Sequence, residues 1–411
     1  MRVLIVGNGG RESALAVKLK EDSRISKMYF AKGNATTDKL GQNVYEDGVE
    51  QLRNFAIKER IDLTIVGPEA PLVDGIVDEF NKHNLKIFGP RKRAADLEGS
   101  KAFSKKFMQT NNIKTAKAVV FDAYQDAIDY VRTQQFPLVI KASGLAGGKG
   151  VVIANNLTEA ESTIHSFMID RIYGDAGIQV IVEEFLKGFE ASIIAFSNGA
   201  KLFPCVPVKD YKKVGSGEKG PNTGGMGSVA PNPDFTDEHY KDFEANILTP
   251  TLAGLNAANI QFKGFIFFGL MVTNNGVYLL EYNMRLGDPE TQVILPLMEN
   301  NLLDVINDCL DGKDVELRFK DQKAVCLVMT SGGYPGKFDT GFEIKNSEKA
   351  QTQVLFAGAR NSGDKIKTSG GRVLSLVATA DTYDAARKAV YEDAKTINFD
   401  YEYYRDDIGK F

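Results

Sequence analysis

The stretch Val277-Tyr278-Leu279-Leu280-Glu281-Tyr282-Asn283-Met284-Arg285 concentrates the residue types that do chemistry. It follows the tight-turn run Asn274-Asn275-Gly276 and reads as the second strand of a hairpin whose first strand is residues 264–273. Alternation along a strand sets Glu281, Asn283 and Arg285 on one face about 6 to 7 Å apart, and Tyr278, Leu280, Tyr282 and Met284 on the other. A carboxylate beside a carboxamide oxygen is a hard ligand pair suited to Mg²⁺, which fills its remaining positions with water and phosphate oxygens. Arg285, one step on, is spaced to neutralise charge on a transferring phosphoryl group or a tetrahedral oxyanion. Gly287-Asp288-Pro289-Glu290 then reads as a helix start, with Asp288 at the N-cap and Pro289 at the first helical position. The bland alternative is a salt-bridged strand edge.

Two glycine-rich turns add anion-binding capacity. Lys141-Ala142-Ser143-Gly144-Leu145-Ala146-Gly147-Gly148-Lys149-Gly150 is an amide-rich loop with a lysine near each end, suited to covering a polyphosphate. It is not a Walker A loop, which needs Gly at Ser143 and Ser or Thr at Gly150, and strands flank it on both sides. Gly7-Asn8-Gly9-Gly10-Arg11-Glu12 joins a strand to a helix, so its amides and the helix dipole suit a phosphate. A dinucleotide fingerprint fails there, because Glu12 stands where the third glycine belongs and no acidic residue closes the next strand. Val182-Glu183-Glu184-Phe185-Leu186 ends a strand whose backbone has the donors and acceptors to read an adenine edge, with Glu190 nearby for ribose hydroxyls. By itself that acidic pair is equally a solvated surface.

The elements that must position these residues fall into blocks. Residues 1 to about 95 alternate short apolar strands with amphipathic helices, a parallel α/β unit. A helix capped by Ser100 opens the next region. Residues 118–194 read as a small α+β lobe, and residues 207–233, rich in Gly, Pro, Asn, Lys and Ser, are too long for a passive connection. A strand-rich unit follows from residue 323, closed by a helix over 383–397. The 411 residues exceed what one core supports. A net charge of −4 argues against a nucleic-acid surface. Three widely spaced cysteines and three scattered histidines give neither a disulfide framework nor a His-based metal cluster. The start of the chain has no signal-peptide pattern, and no apolar run reaches about 18 residues, so the expectation is a cytoplasmic protein with no membrane partner.

Together with Ile65-Val66-Gly67-Pro68-Glu69-Ala70-Pro71-Leu72, Leu97-Glu98-Gly99-Ser100-Lys101, Gly220-Pro221-Asn222-Thr223-Gly224-Gly225-Met226-Gly227 and Gly332-Gly333-Tyr334-Pro335-Gly336, these stretches resemble the phosphoribosylamine–glycine ligases of the ATP-grasp superfamily. The resemblance implies a Rossmann-like domain over 1–100, an ATP-grasp domain over 101–322 with a lid lobe at about 118–190, and a C-terminal α+β domain over 323–411. It implies ATP-dependent ligation of glycine to 5-phosphoribosylamine through a glycyl phosphate, with Mg²⁺ or Mn²⁺. Lys101, Lys141, Gly147, Gly148, Lys149 and Gly150 would hold the ATP phosphates. Glu183, Glu184 and Leu186 would line adenine, Glu190 ribose, and Glu281 and Asn283 the metal. Gly9, Gly10, Asn34, Glu69 and Pro71 would hold the phosphoribosyl group, while Asn222, Thr223, Gly224 and Gly225, with Asp210, close over glycine. Arg285 would stabilise the acyl phosphate. Many family members have histidine where this chain has Ser13 and Tyr211, so neither histidine is essential here. The first hairpin strand also lacks the further carboxylate ligand that related enzymes carry. A monomer acting on small molecules is the default expectation. Rival readings are another ATP-grasp ligase, a nicotinamide oxidoreductase using the first domain, and a silent nucleotide-binding regulator.

Overall fold

A computed structural model describes residues 1–147 and 149–411; Gly148, expected on the phosphate loop, lies outside the described residues. The first block is a five-stranded parallel sheet in the order Gln42–Val44, Lys27–Lys32, Arg2–Gly7, Leu63–Val66, Ile87–Phe88. Its central strands, Arg2–Gly7 and Leu63–Val66, are buried almost throughout because helices cover both faces. Val3 and Ile5 pack toward one core, Leu4 and Val6 toward another, and all four are buried.

The lobe expected to form the lid has its own core. Its antiparallel sheet runs Ala118–Phe121, Val180–Glu184, Leu138–Ala142, Val151–Ala154, backed by helices Tyr124–Val131 and Leu157–Met168. Lys141 pairs with Val151 in register, so the glycine-rich loop is the tip of a hairpin. A second antiparallel sheet runs Leu202–Pro204, Phe189–Asn198, Lys263–Thr273, Gly276–Asn283. Its long strands are buried along nearly their whole length, since a phenylalanine-rich cluster covers one face and the first block's core the other.

The third large sheet is not built from residues 323–411 alone. Lys209–Asp210 and Gly227–Ala230 join it at one edge, ahead of Lys323–Ser331, Arg372–Ala380 and Gln353–Phe356. The glycine-rich segment between those two edge strands is therefore tethered at both ends to the C-terminal unit. Its hairpin, Lys213–Gly215 with Lys219–Asn222, is further held by Arg405, whose buried guanidinium pairs with Glu218 at 2.8 Å and donates to the Lys213 carbonyl at 2.9 Å.

Candidate active site

The strand Gly276–Asn283 departs from simple alternation. Leu270 pairs with Leu279 and Gly269 with Glu281, which leaves Leu280 as the extra residue of a β-bulge. Val277, Leu279, Tyr282 and Met284 consequently form the buried face. Tyr278 and Leu280, expected to share that face with Tyr282 and Met284, do not. The bulge restarts the alternation so that Glu281, Asn283 and Arg285 still fall on the open face. It also turns the Leu280 carbonyl toward the Lys141 ammonium at 3.4 Å.

Glu281 stands among cations. Burial works to raise its pKa, but Lys212, Lys141, Lys101 and Arg285 together hold it below the ordinary carboxylate value. Lys101, at the first position of helix Lys101–Thr110, is pushed down by burial and by Lys141, against the pull of Glu281. Four cations around one ionised carboxylate form a cluster that calls for phosphate oxygens. Among the described residues no group of three His, Cys, Asp or Glu gathers to hold a metal by itself. Glu281 and Asn283 fit a divalent cation that arrives with phosphates supplying further ligands.

The acidic strand end is arranged differently from the expectation. The Glu183 side chain is buried between Lys141 at 2.9 Å and Lys105 at 3.0 Å. Glu184 turns to the edge and accepts the Lys117 N–H at 2.8 Å. Strand alternation sends the two carboxylates to opposite faces, and Leu186 just beyond them is half-buried. Burial lowers Lys105 and opposes the rise of Lys141, whose net shift is upward because Glu281 adds to Glu183. Lys149 is exposed and its carbonyl accepts the Tyr173 hydroxyl at 2.8 Å. Gly147 has φ +57° with open space around it, while Gly150 packs against Ala142 and Ala146.

Arg285 is tethered on one side. One terminal nitrogen pairs with Glu98 at 3.0 Å and the other donates to the Leu286 carbonyl at 3.2 Å. Its Nε, 3.4 Å from Glu69, has no hydrogen-bond partner among the described residues. Glu98, nearly fully buried, also accepts the Met284 N–H at 2.6 Å. Beyond Arg285 the expected helix start is displaced. The helix is Thr291–Leu297, and Asp288 does not cap it. The Asp288 carboxylate accepts instead from the Arg11 N–H at 3.2 Å and from Gln292 at 2.7 Å, and pairs with Arg372 at 3.4 Å.

Asp210 and Glu290 form an acidic pair. Burial, then the charge of Glu290, raises the Asp210 pKa strongly; burial, with a smaller push from Asp288, raises that of Glu290 against Lys212 and Arg285, and Asp210 Oδ1 has no partner among the described residues. Lys212 stands between this pair and Glu281; it ion-pairs with Glu190 at 2.5 Å, and Glu190, Asp210 and Glu281 outweigh burial to raise it. Glu190 is thus turned to Lys212.

The first turn is more self-contained than expected. The Gly9 N–H donates to Glu12 at 2.6 Å. Buried Glu12 fills the space under the turn so closely that a Cβ at Gly67 would sit 1.7 Å from its carboxylate. Asn34 caps helix Ala35–Leu40 and donates to the Asn8 and Gly9 carbonyls and to Ser13, so it braces the turn. Gly10 packs against Gln292, and Pro71 lies half-exposed on the short helix Glu69–Val73. Across the site, Thr223 bonds the Lys212 carbonyl, the Gly224 peptide meets Tyr334 and Arg372, and Asn222 is exposed. At the two positions where the resemblance leads one to expect histidine, Ser13 donates to the Phe356 carbonyl, and buried Tyr211 accepts the Gly409 N–H.

Six residues join the site that sequence reasoning had not assigned: Glu98, Lys105, Lys212, Glu290, Tyr334 and Arg372. The first five carried some signal, since four lie within or beside quoted motifs and Lys105 follows Lys101 by one helical turn. Arg372 carried none.

Comparison with known proteins gives a consistent outcome over the full length. Family profiles described as phosphoribosylglycinamide synthetase N domain, ATP-grasp (A) domain and C domain match residues 1–98, 99–291 and 324–411. A phosphoribosylamine–glycine ligase of Clostridium acetobutylicum is 49% identical, with all of both chains covered. One from Fusobacterium nucleatum is 49% identical over 100% of this chain and 98% of its own. The crystal structure of phosphoribosylamine–glycine ligase from Thermotoga maritima superposes with a TM-score of 0.86 at 34% identity, covering 99% of this chain and 100% of that one.

Proposed function

As the chain belongs to the phosphoribosylglycinamide synthetase family, we propose that it ligates glycine to 5-phosphoribosylamine, turning ATP over to ADP and phosphate and releasing glycinamide ribonucleotide. The observation that carries this reading is Lys212. It links a cationic cluster suited to a polyphosphate with an acidic pair suited to the ammonium group of an amino acid.

A glycine carboxylate oxygen attacks the γ-phosphorus, the bond to the ADP oxygen breaks, and glycyl phosphate forms. Lys101, Lys141 and the loop at 147–150 hold the phosphates, and Lys141 is fixed by Glu183 while Lys105 holds that carboxylate's other oxygen. Glu281 and Asn283 would hold Mg²⁺ or Mn²⁺, which when bound offsets phosphate charge. Asp210 and Glu290, which resist joint ionisation, accept the glycine ammonium; the added positive charge relieves that resistance. The amine of phosphoribosylamine then attacks the acyl carbon, phosphate leaves, and the amine proton passes to solvent or phosphate. Arg285, its terminal nitrogens tied to Glu98 and Leu286, directs Nε at the oxyanion. Positioning and charge neutralisation supply the catalysis, with no covalent protein intermediate.

The assignment extends to units: residues 1–100 for the phosphoribosyl group, with Gly10, Glu69 and Pro71 beside it, 101–322 for ATP with the lid at 118–190, and 323–411 as support. No helix among the described residues is long and apolar enough to cross a membrane. With three buried free cysteines, the reading is a cytoplasmic enzyme of small molecules, monomeric and without a nucleic-acid partner. The test is ADP release with ATP, Mg²⁺ and freshly generated phosphoribosylamine, comparing glycine, alanine, bicarbonate and no acid. Glycine-dependent release with formation of glycinamide ribonucleotide supports the reading; release driven by another acid, or none, overturns it.

A further inference from the structure

The motif Gly332-Gly333-Tyr334-Pro335-Gly336 is not absorbed by the chemistry above, yet it reaches the site. The Gly224 N–H donates to the Tyr334 hydroxyl at 2.9 Å, and Arg372 donates to the Gly224 carbonyl at 2.5 Å. The same Arg372 nitrogen donates to the Asp288 carbonyl at 2.6 Å and lies 3.4 Å from the Asp288 carboxylate. Two side chains of the C-terminal unit therefore hold both polar groups of one residue in the segment 222–225, and tie it to the turn at 287–290.

The fit is close. A Cβ at Gly224 would stand 3.0 Å from the Arg372 guanidinium carbon and 3.2 Å from the Tyr334 oxygen. At Gly225, with φ +110°, it would meet Pro289 at 2.4 Å and Asp210 at 2.8 Å. Gly371 leaves room for the Tyr334 ring, since a Cβ there would be 2.3 Å from the ring. Asn222 and Gly224 are exposed and contribute no packing of their own, so ordering this segment depends on such tethers.

We propose that Tyr334 and Arg372 are positioning residues for the ligation: they clamp the Gly224 peptide and so hold the 222–225 segment against Asp210, which sets the fit of the amino-acid substrate. This rests on the functional reading above. The clamp explains why a unit without ATP-site residues is joined to the centre by the strands Lys209–Asp210 and Gly227–Ala230.

The test compares Tyr334→Phe, Arg372→Gln and Arg372→Lys with the parent chain. Steady-state ligation is measured with glycine and ATP varied separately, together with ADP affinity by calorimetry and amide hydrogen exchange at 222–225. The expected result is a rise in KM for glycine of about fivefold to tenfold for Tyr334→Phe, and more for Arg372→Gln. ADP affinity and KM for ATP stay put, Arg372→Lys recovers part of the loss, and exchange at Gly224 quickens. Unchanged glycine KM, or a parallel loss in ATP KM as from general destabilisation, overturns the proposal. If the parent chain itself shows no glycine-dependent turnover, the functional reading fails instead. The clamp is then judged by exchange alone, and unaltered protection at Gly224 overturns it.

Discussion

Replacing Glu183 by glutamine probes the join between lid and body. Glu183 sits on strand Val180–Glu184, with Lys141 on the neighbouring lid strand and Lys105 on helix Lys101–Thr110 outside the lid; the three side chains are 3%, 8% and 3% exposed. The group carries one net positive charge. Glutamine leaves two buried ammonium groups, and breaking a buried pair this way costs about 3–5 kcal/mol. That is a large share of the roughly 5–15 kcal/mol of a whole domain's stability. Lys105→Met costs less, because Glu183 keeps Lys141 and the thioether fills the space. In the double variant only one charge is left uncompensated, so the cycle has a favourable coupling above about 1 kcal/mol. Urea unfolding followed by lid hydrogen exchange measures all four forms. The Glu183 carboxyl is held below its ordinary value: burial opposes this, and Lys141 and Lys105 bring it about. Its contribution is therefore present above the unfolded pKa of about 4.3 and lost as pH falls through the folded value, so Glu183→Gln flattens the acid limb of the stability profile. A loss under about 1 kcal/mol, the level of an exposed pair, would refute the reasoning.

Glu281→Gln should cut ADP formation by at least about 100-fold while leaving the urea midpoint near that of the parent chain, because the side chain lies off the core face; full activity would sink the metal assignment. Arg285→Lys should lower the single-turnover rate of glycinamide ribonucleotide formation by about 100-fold or more, since an ammonium cannot keep the Glu98 and Leu286 contacts while presenting a third donor. Asp210→Asn should abolish glycine-dependent turnover yet raise the urea midpoint at pH 8. Its raised folded pKa makes its stabilising contribution complete below an unfolded pKa of about 3.9 and lost as pH rises through the folded value, so the gap between variant and parent should widen from pH 4 to pH 8. A gap that stays constant would contradict the buried-pair reading.

Periodicity made the elements legible: the parallel first sheet, the lid hairpin at 141–150 and the strand bearing Glu281 follow from apolar spacing and turn residues. Spacing cannot register a bulge, because Leu279 and Leu280 are equally apolar and only cross-strand pairing decides which one is extra. Carboxylate direction was likewise hidden. Glu183 and Glu184 are adjacent and alike in sequence, but one is buried between lysines and the other caps an edge. Asp288 looked like a helix cap because two of the groups that compete for it, the Arg11 N–H and the Arg372 guanidinium, are distant in sequence. Arg372 had no local signature, since its partners, two carbonyls and the Asp288 carboxylate, all lie far from it in sequence.

The arrangement of charge around Arg285 bears on why the site can wait for substrate without collapsing. Its guanidinium is satisfied at both terminal nitrogens by Glu98 and Leu286, while Nε is buried and unpaired apart from a 3.4 Å approach to Glu69. A buried unmet donor is costly, and a nearby carboxylate that does not quite close on it leaves the donor available. Asp210 carries the complementary defect, an unmet acceptor oxygen beside a second acid. Between them Lys212 keeps the two halves at opposite polarity. A ligand with an ammonium at one end and a carboxylate becoming an acyl phosphate at the other meets both defects at once, whereas a carboxylic acid without the amine meets only one. On the proposed assignment, selection for an amino acid follows from where these polar groups are left unsatisfied.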